Sequence, residues 1–133
     1  MMQIFTVDDL MYLKRGDRIS RMKAVIASVL NIKPILRGDE EGRIVITSKT
    51  VGRKASIRAL ADDLIENIDA ADACGIGIAQ AGCQADTESL IKRIRARFPD
   101  LPILTVPYEP VTGSHVGPGA LALFYISRRV RAV

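Results

Sequence analysis

The stretch Ile44-Val-Ile-Thr-Ser-Lys-Thr-Val-Gly-Arg-Lys-Ala-Ser-Ile-Arg-Ala-Leu-Ala-Asp-Asp-Leu-Ile-Glu-Asn-Ile68 changes its period midway. Its first part, Ile44 to Val51, is rich in β-branched residues, which suit a pleated, half-buried surface and predict a strand. From Gly52 and Arg53 onward, Ile57, Leu60, Ala61, Leu64, Ile65 and Ile68 recur at helical spacing, so the same stretch predicts an amphipathic helix with one apolar face. A strand that hands over to a helix is the unit around which the other elements are ordered.

Toward the N-terminus, Gly38-Asp39-Glu40-Glu41-Gly42 is a turn cluster, and Ile32 to Arg37 before it reads as a strand antiparallel to Ile44–Val51. Pro34 belongs at the start of that strand or on a sheet edge, because it cannot donate to a ladder. Upstream, Ser20 caps a predicted helix in which Met22, Val25, Ile26, Val29 and Leu30 share one face, ended by Asn31 and Pro34. A short helix over Val7 to Leu13, with Thr6 as its cap and Asp9 in its first turn, precedes the basic turn Lys14-Arg15-Gly16-Asp17-Arg18. Toward the C-terminus, Ile76 to Ala79 is a short strand, and Thr87 to Phe98 a helix with Leu90, Ile91, Ile94 and Phe98 inward. Leu101 to Val106 is a strand, and Leu121 to Ser127 is the last strand before the basic tail Arg128, Arg129 and Arg131. The order of two helices, a hairpin, helix, strand, helix and two strands predicts an α+β fold, a two-layer sandwich with a mixed β-sheet packed by helices. The 133 residues fit a single domain with its own core.

Between those last strands runs Val111-Thr-Gly-Ser-His-Val-Gly-Pro-Gly-Ala-Leu-Ala-Leu-Phe124, which holds the sole histidine, His115. Gly113, Ser114, Gly117, Pro118 and Gly119 shape this loop, since glycine admits positive φ and close approach while proline fixes φ. It reads equally as a tight turn between strands and as a site built on one imidazole.

Nineteen Lys and Arg against fifteen Asp and Glu give a formal charge of +4, a mild bias toward anionic ligands. Three tyrosines, three phenylalanines and no tryptophan leave little aromatic surface for stacking on bases, and Lys92, Arg93, Arg95 and Arg97 read as a solvated helix face, so no nucleic-acid partner is expected. No apolar run reaches the roughly 18 residues of a membrane span, and without a basic, apolar leader the expected compartment is the cytoplasm. Cys74 and Cys83 lack metal-ligand spacing and read as reduced, structural thiols. Gly75-Ile-Gly77 falls inside a predicted strand, with no third glycine at dinucleotide spacing. Asp39, Glu40 and Glu41 are adjacent turn acids that point apart, without the spaced ligands of a calcium loop. One histidine without an identifiable partner cannot build a nucleophile–base constellation, so no catalysis, metal or cofactor is expected. Arg53 opens a helix and offers a planar fork to an anion, although an ordinary surface arginine would look the same.

Two long motifs carry a family resemblance. Val7-Asp8-Asp9-Leu10-Met11-Tyr12-Leu13-Lys14-Arg15-Gly16, Arg18-Ile19-Ser20 and Leu30-Asn31-Ile32-Lys33-Pro34-Ile35-Leu36, followed at the far end by His115-Val116-Gly117-Pro118-Gly119-Ala120-Leu121, resemble the DegV family of bacterial fatty-acid-binding proteins, and specifically its C-terminal half. The resemblance implies a carrier that encloses a long-chain fatty acid between two α/β domains and presents its carboxylate to a fatty acid kinase. By motif position, His115 resembles the family histidine at the carboxylate end, Arg53 the arginine linked to the kinase step, and Gly117, Pro118 and Gly119 the turn around the head group. Asp17 stands where the family has a second glycine, and Ala122 where its terminal motif often has one. The family's carboxylate-gripping hydroxyls lie in its N-terminal domain, so the expected partners are that domain or a second copy, the fatty acid and the kinase. The alternative is a lipid-independent interaction or self-association module working through exposed apolar surface. A small hydrolase with His115 as base is a third reading, without a visible nucleophile.

Overall fold

The computed structural model describes residues 1–15 and 31–128. The expected helix from Ser20 with Met22, Val25, Ile26, Val29 and Leu30 lies outside the described residues, as do Gly16, Asp17 and Arg18 of the basic turn and Arg129 and Arg131 of the tail.

The described chain runs β1 (Met2–Thr6), α1 (Met11–Arg15), β2 (Ile32–Gly38), β3 (Ile44–Val51), α2 (Arg53–Asn67), β4 (Ile76–Gln80), α3 (Gln84–Arg97), β5 (Ile103–Pro107), α4 (Pro110–Val116) and β6 (Leu121–Tyr125). The strands form a single open sheet in the order β3-β2-β1-β6-β4-β5. Only β4 and β5 pair in parallel, because α3 carries the chain back between them; the other neighbours are antiparallel, so the sheet is mixed and the fold is α+β.

Period two along the strands gives the sheet two buried faces. Leu121, Leu123 and Tyr125 of β6 join Ile4, Ile35 and Ile78 under α2 and α3, where Ile57, Leu60, Ala61, Leu64, Leu90 and Ile94 close the larger core. The intervening residues, Phe5, Leu36, Ala79 and Ala122, face the other way and gather Val7, Leu13, Val116 and Ala120 into a smaller core beneath the short helices α1 and α4. The switch from strand to helix at Gly52 holds as read: Gly52 has φ 89°, and α2 buries Ser56, Ile57, Leu60, Ala61 and Leu64. With Leu64 fully buried, Leu64→Ala would cost about 2–5 kcal/mol.

Three sequence expectations need correction. Strand β1 was absent from the sequence reading, yet it is central, paired to β2 through Ile4, Phe5 and Thr6 and to β6 along its full length. Thr6 is therefore not a helix cap: it ends β1, is fully buried, and its hydroxyl donates to the Pro34 carbonyl at 2.8 Å. The cap role falls to Asp9, whose Oδ1 accepts from the Met11 N–H at 2.9 Å. Pro34 lies on β2 beyond the last β1 register pair, Thr6 with Ile35, so locally β2 has β3 as its strand partner and the missing N–H breaks no β1 ladder bond. Asp39 is more than a solvated turn acid. Its Oδ1 accepts from the Glu41 and Arg43 N–H groups and its Oδ2 from Arg43 Nε, which fixes the β2–β3 turn and holds its carboxyl below the usual range.

Candidate head-group site

The segment carrying His115 is a helix followed by a turn, not one loop. Glu109 stands at the N-cap of α4, with Pro110 as its first residue, a position where a missing N–H costs nothing. Both Glu109 oxygens are used: Oε2 accepts from Val111 N–H and Oε1 from Thr112 N–H, each at 2.7 Å. Hydrogen bonding from Thr112, side chain and backbone, holds the Glu109 carboxyl below the ordinary carboxylate range, helped by Val111 N–H and the charge of His115. Gly113 and Ser114 thus lie within the helix, where the Ser114 hydroxyl donates to the Val111 carbonyl at 2.7 Å. His115 occupies the last turn, half-buried, beside buried Val116.

The turn proper is Gly117-Pro118-Gly119. Gly117 closes α4 by donating its N–H to Gly113 O at 2.9 Å, with φ 81°. Gly119 has φ 86° and donates to Ala81 O at 2.7 Å, tying the turn to the end of β4. Neither glycine has room for a side chain. A Cβ at Gly117 would sit 2.6 Å from the Tyr12 ring, and one at Gly119 would sit 2.8 Å from Asp8 Cβ. Asp8 is itself fixed by Lys33, whose Nζ lies 3.0 Å from Asp8 Oδ1 and donates to Asp8 O at 3.0 Å. The turn is seated on the segment between β1 and α1, so the two long motifs distant in sequence form one packed unit.

Arg53 approaches the same turn from the start of α2. Its Nε donates to Asp86 Oδ2 at 2.9 Å and its Nη2 to the Gly119 carbonyl, while Nη1 is buried without a partner among the described residues. Beside it opens a pocket of about 400 Å³ lined by Asp8, Arg53, Cys83, Gln84, Asp86 and Gly119. His115 is not among the residues lining it, so the structure joins Arg53 to the Gly-Pro-Gly turn and leaves the imidazole on the helix that precedes the turn. Cys83, the N-cap of α3, is half-buried, and burial pushes its thiol pKa up; Cys74 is exposed, and both thiols are free. Lys92, Arg93, Arg95 and Arg97 are exposed, and Arg95 donates to the Pro99 and Leu101 carbonyls, closing the end of α3. Among the described residues, no group of three or more His, Cys, Asp or Glu is placed to hold a metal, and no helix is long and apolar enough to cross a membrane.

Tyr12, Asp8, Asp86 and Glu109 also belong to this unit, beyond the site residues expected from sequence. Glu109-Pro110 followed by Gly117 was a legible helix signature, proline just inside the start and glycine just past the end. The Tyr12, Asp8 and Asp86 contacts span large sequence separations and leave no local signal.

An open mixed sheet whose turn after α4 is wedged between the β1–α1 segment and an arginine from α2 defines the class of the fold, a six-stranded α+β domain. The chain belongs to the DegV family: the family profile, described as uncharacterised DegV proteins, matches residues 1–128. It is 41% identical over 122 residues to a DegV domain-containing protein of Clostridium perfringens, covering 92% of this chain and 42% of that protein. Among solved structures, it is similar to a fatty acid binding DegV family protein of Streptococcus agalactiae, at 30% identity and TM-score 0.78, covering 92% of this chain and 43% of the other. It is likewise similar to the fatty acid kinase B3 protein of Streptococcus pneumoniae, solved with linoleic acid, at 26% identity and TM-score 0.81, over 95% and 44% of the two chains. The chain spans less than half the length of the relatives it matches.

Proposed function

We propose that this chain supplies one wall of a long-chain fatty acid site and bears the carboxylate end of that site on His115. The observation that carries the proposal is the unit just described, a half-buried imidazole on α4 set by a turn with no space for side chains, in a domain similar to a fatty-acid-binding relative. A neutral imidazole N–H or an imidazolium donates well to a carboxylate, and each methylene buried along apolar side chains would contribute about 0.8 kcal/mol. Gly113, Ser114, Gly117, Pro118 and Gly119 shape the head-group end, the first two as helix and the last three as turn. Arg53 stands for the arginine of the kinase step, in which the bound fatty acid is presented to a fatty acid kinase. The domain carries lipid without catalysis or cofactor, acts in the cytoplasm, and needs a second domain or copy to close the site.

The test is to extract lipid from gently purified protein, then titrate fatty acid into the stripped chain with and without an N-terminal DegV half. His115→Ala is expected to weaken the reconstituted pair by roughly tenfold, the loss of one charge-assisted hydrogen bond. Absence of lipid binding in the pair, or wild-type affinity in the variant, rejects the assignment.

One observation favours a second reading, a lipid-independent association module: Leu104 and Val106 on the edge strand β5 and Val111 on α4 are exposed, Leu104 by 67%. Sedimentation across a concentration series separates the two, since a monomer at every concentration counts against association.

A further inference from the structure

We infer that Asp86 is a positioning residue for the Gly-Pro-Gly turn that follows the helix bearing His115. Asp86 sits in the first turn of α3, where a carboxylate is favoured by the helix dipole, and its Oδ2 accepts from Arg53 Nε at 2.9 Å. Arg53 Nη2 in turn donates to the Gly119 carbonyl, and the Gly119 N–H donates to Ala81 O at 2.7 Å. The chain Asp86–Arg53–Gly119–Ala81 therefore ties the starts of two helices and the end of β4 to one turn residue.

Arg53 depends on Asp86 for its direction. Its Nη1 is buried and unpartnered among the described residues, so without Asp86 the guanidinium keeps a single acceptor, the Gly119 carbonyl. A partly buried guanidinium with one acceptor gains by rotating toward water, and the adjoining pocket gives it the space. The turn then loses its carbonyl anchor while Tyr12 and Asp8 still bar it from closing inward. Because the Asp86 side chain is 37% exposed, solvent screening limits the effect to a local loosening and the fold survives.

This inference deepens the fatty-acid reading, since the turn matters for lipid only if His115 meets the head group, but it is testable without lipid. His115 is the sole histidine, so its imidazole Hε1 gives an unambiguous proton NMR signal. Asp86→Ala is expected to shift that signal and to speed amide exchange at Gly119 and Ala120 by about tenfold, with Leu123 in β6 unchanged. Asp86→Glu should restore most of the protection, Asp86→Asn should fall between, and Glu88→Ala, two residues on and on the opposite side of α3, should change nothing. Wild-type exchange at Gly119 and Ala120 in Asp86→Ala overturns the proposal. So does acceleration spread equally through β6, which marks general destabilisation; if Asp86→Ala does not fold, Asp86→Asn carries the same comparison. Titration of the wild-type chain, joined to an N-terminal half, with octadecenoic acid is read separately: its failure removes the lipid reading and leaves the clamp standing.

Discussion

Gly117→Ala isolates the contact on which the turn depends. At φ 81° and ψ 168° Gly117 occupies a region essentially restricted to glycine, which an L side chain enters at about 1–3 kcal/mol. The added Cβ would also meet Tyr12 Cδ2 and Cγ at 2.6 Å and Cδ1 at 3.0 Å. Cγ lies too close to the Tyr12 backbone to be cleared by a ring flip, so α1 or the turn must shift, an overpacking cost of about 1–3 kcal/mol. Together these give roughly 4 kcal/mol, or on the order of 10 °C in Tm for a chain of this size. Urea unfolding of wild type, Gly117→Ala, Tyr12→Ala and the double variant separates the two parts. If both act, Gly117→Ala costs less in the Tyr12→Ala background by the steric part, and the conformational part remains. A Gly117→Ala midpoint equal to wild type would falsify the account of the turn.

Other consequences are more local. Thr6→Val removes the buried hydroxyl that donates to Pro34 O, so that a buried carbonyl loses this partner, and should cost about 1–2 kcal/mol in urea unfolding; no loss would mean that this bond contributes nothing net. The Glu109 pKa is lowered in the fold, so its contribution is present above the unfolded carboxylate pKa and is lost as pH falls through the lower folded value. Amide protection of Thr112 and Gly113 should therefore fall on acidification in wild type and be flat in Glu109→Gln, which is read by exchange across that window. Burial raises the Cys83 thiol pKa and half-covers it, whereas Cys74 is exposed, so iodoacetamide near neutral pH should label Cys74 first; preferential labelling of Cys83 would contradict the packing around α3.

Periodicity carried as far as local forces dominate. Strand β3, helix α2 and the inward residues of α3 follow from β-branched runs and helical spacing, and their boundaries agree with the sequence reading within a few residues. Strand β1 was illegible because Met2 to Thr6 is buried on both faces at its inner end, which erases the alternation that marks a half-buried strand, and Thr6 mimics a helix cap. Gly113 and the β-branched Val111 and Thr112 of α4 have modest helix propensity and hide its periodicity, so only the Glu109-Pro110 start and the Gly117 stop mark the helix in the sequence. Arg53 was legible as a helix-start arginine, but its partners Asp86 and Gly119 are 33 and 66 residues away, a pairing that only the folded sheet creates.

The glycines that made the turn conspicuous bear on its function less directly than they first suggest. Gly117 and Gly119 are required by Tyr12 and Asp8, contacts that exist whether or not any ligand is bound, so their presence is accounted for by packing alone. The readings of tight turn and of site are therefore compatible. What packing does not require is the imidazole. Val116 and Gly117 close the smaller core and the helix end, while His115 is half-buried and, among the described residues, makes no hydrogen bond that the turn depends on. Substitutions at Gly117 and Gly119 consequently report on folding, and a change at His115 that leaves stability intact reports on ligand. A loss of lipid affinity in Gly117→Ala would accordingly say nothing about the head group unless His115→Ala, in a fold of wild-type stability, loses it too.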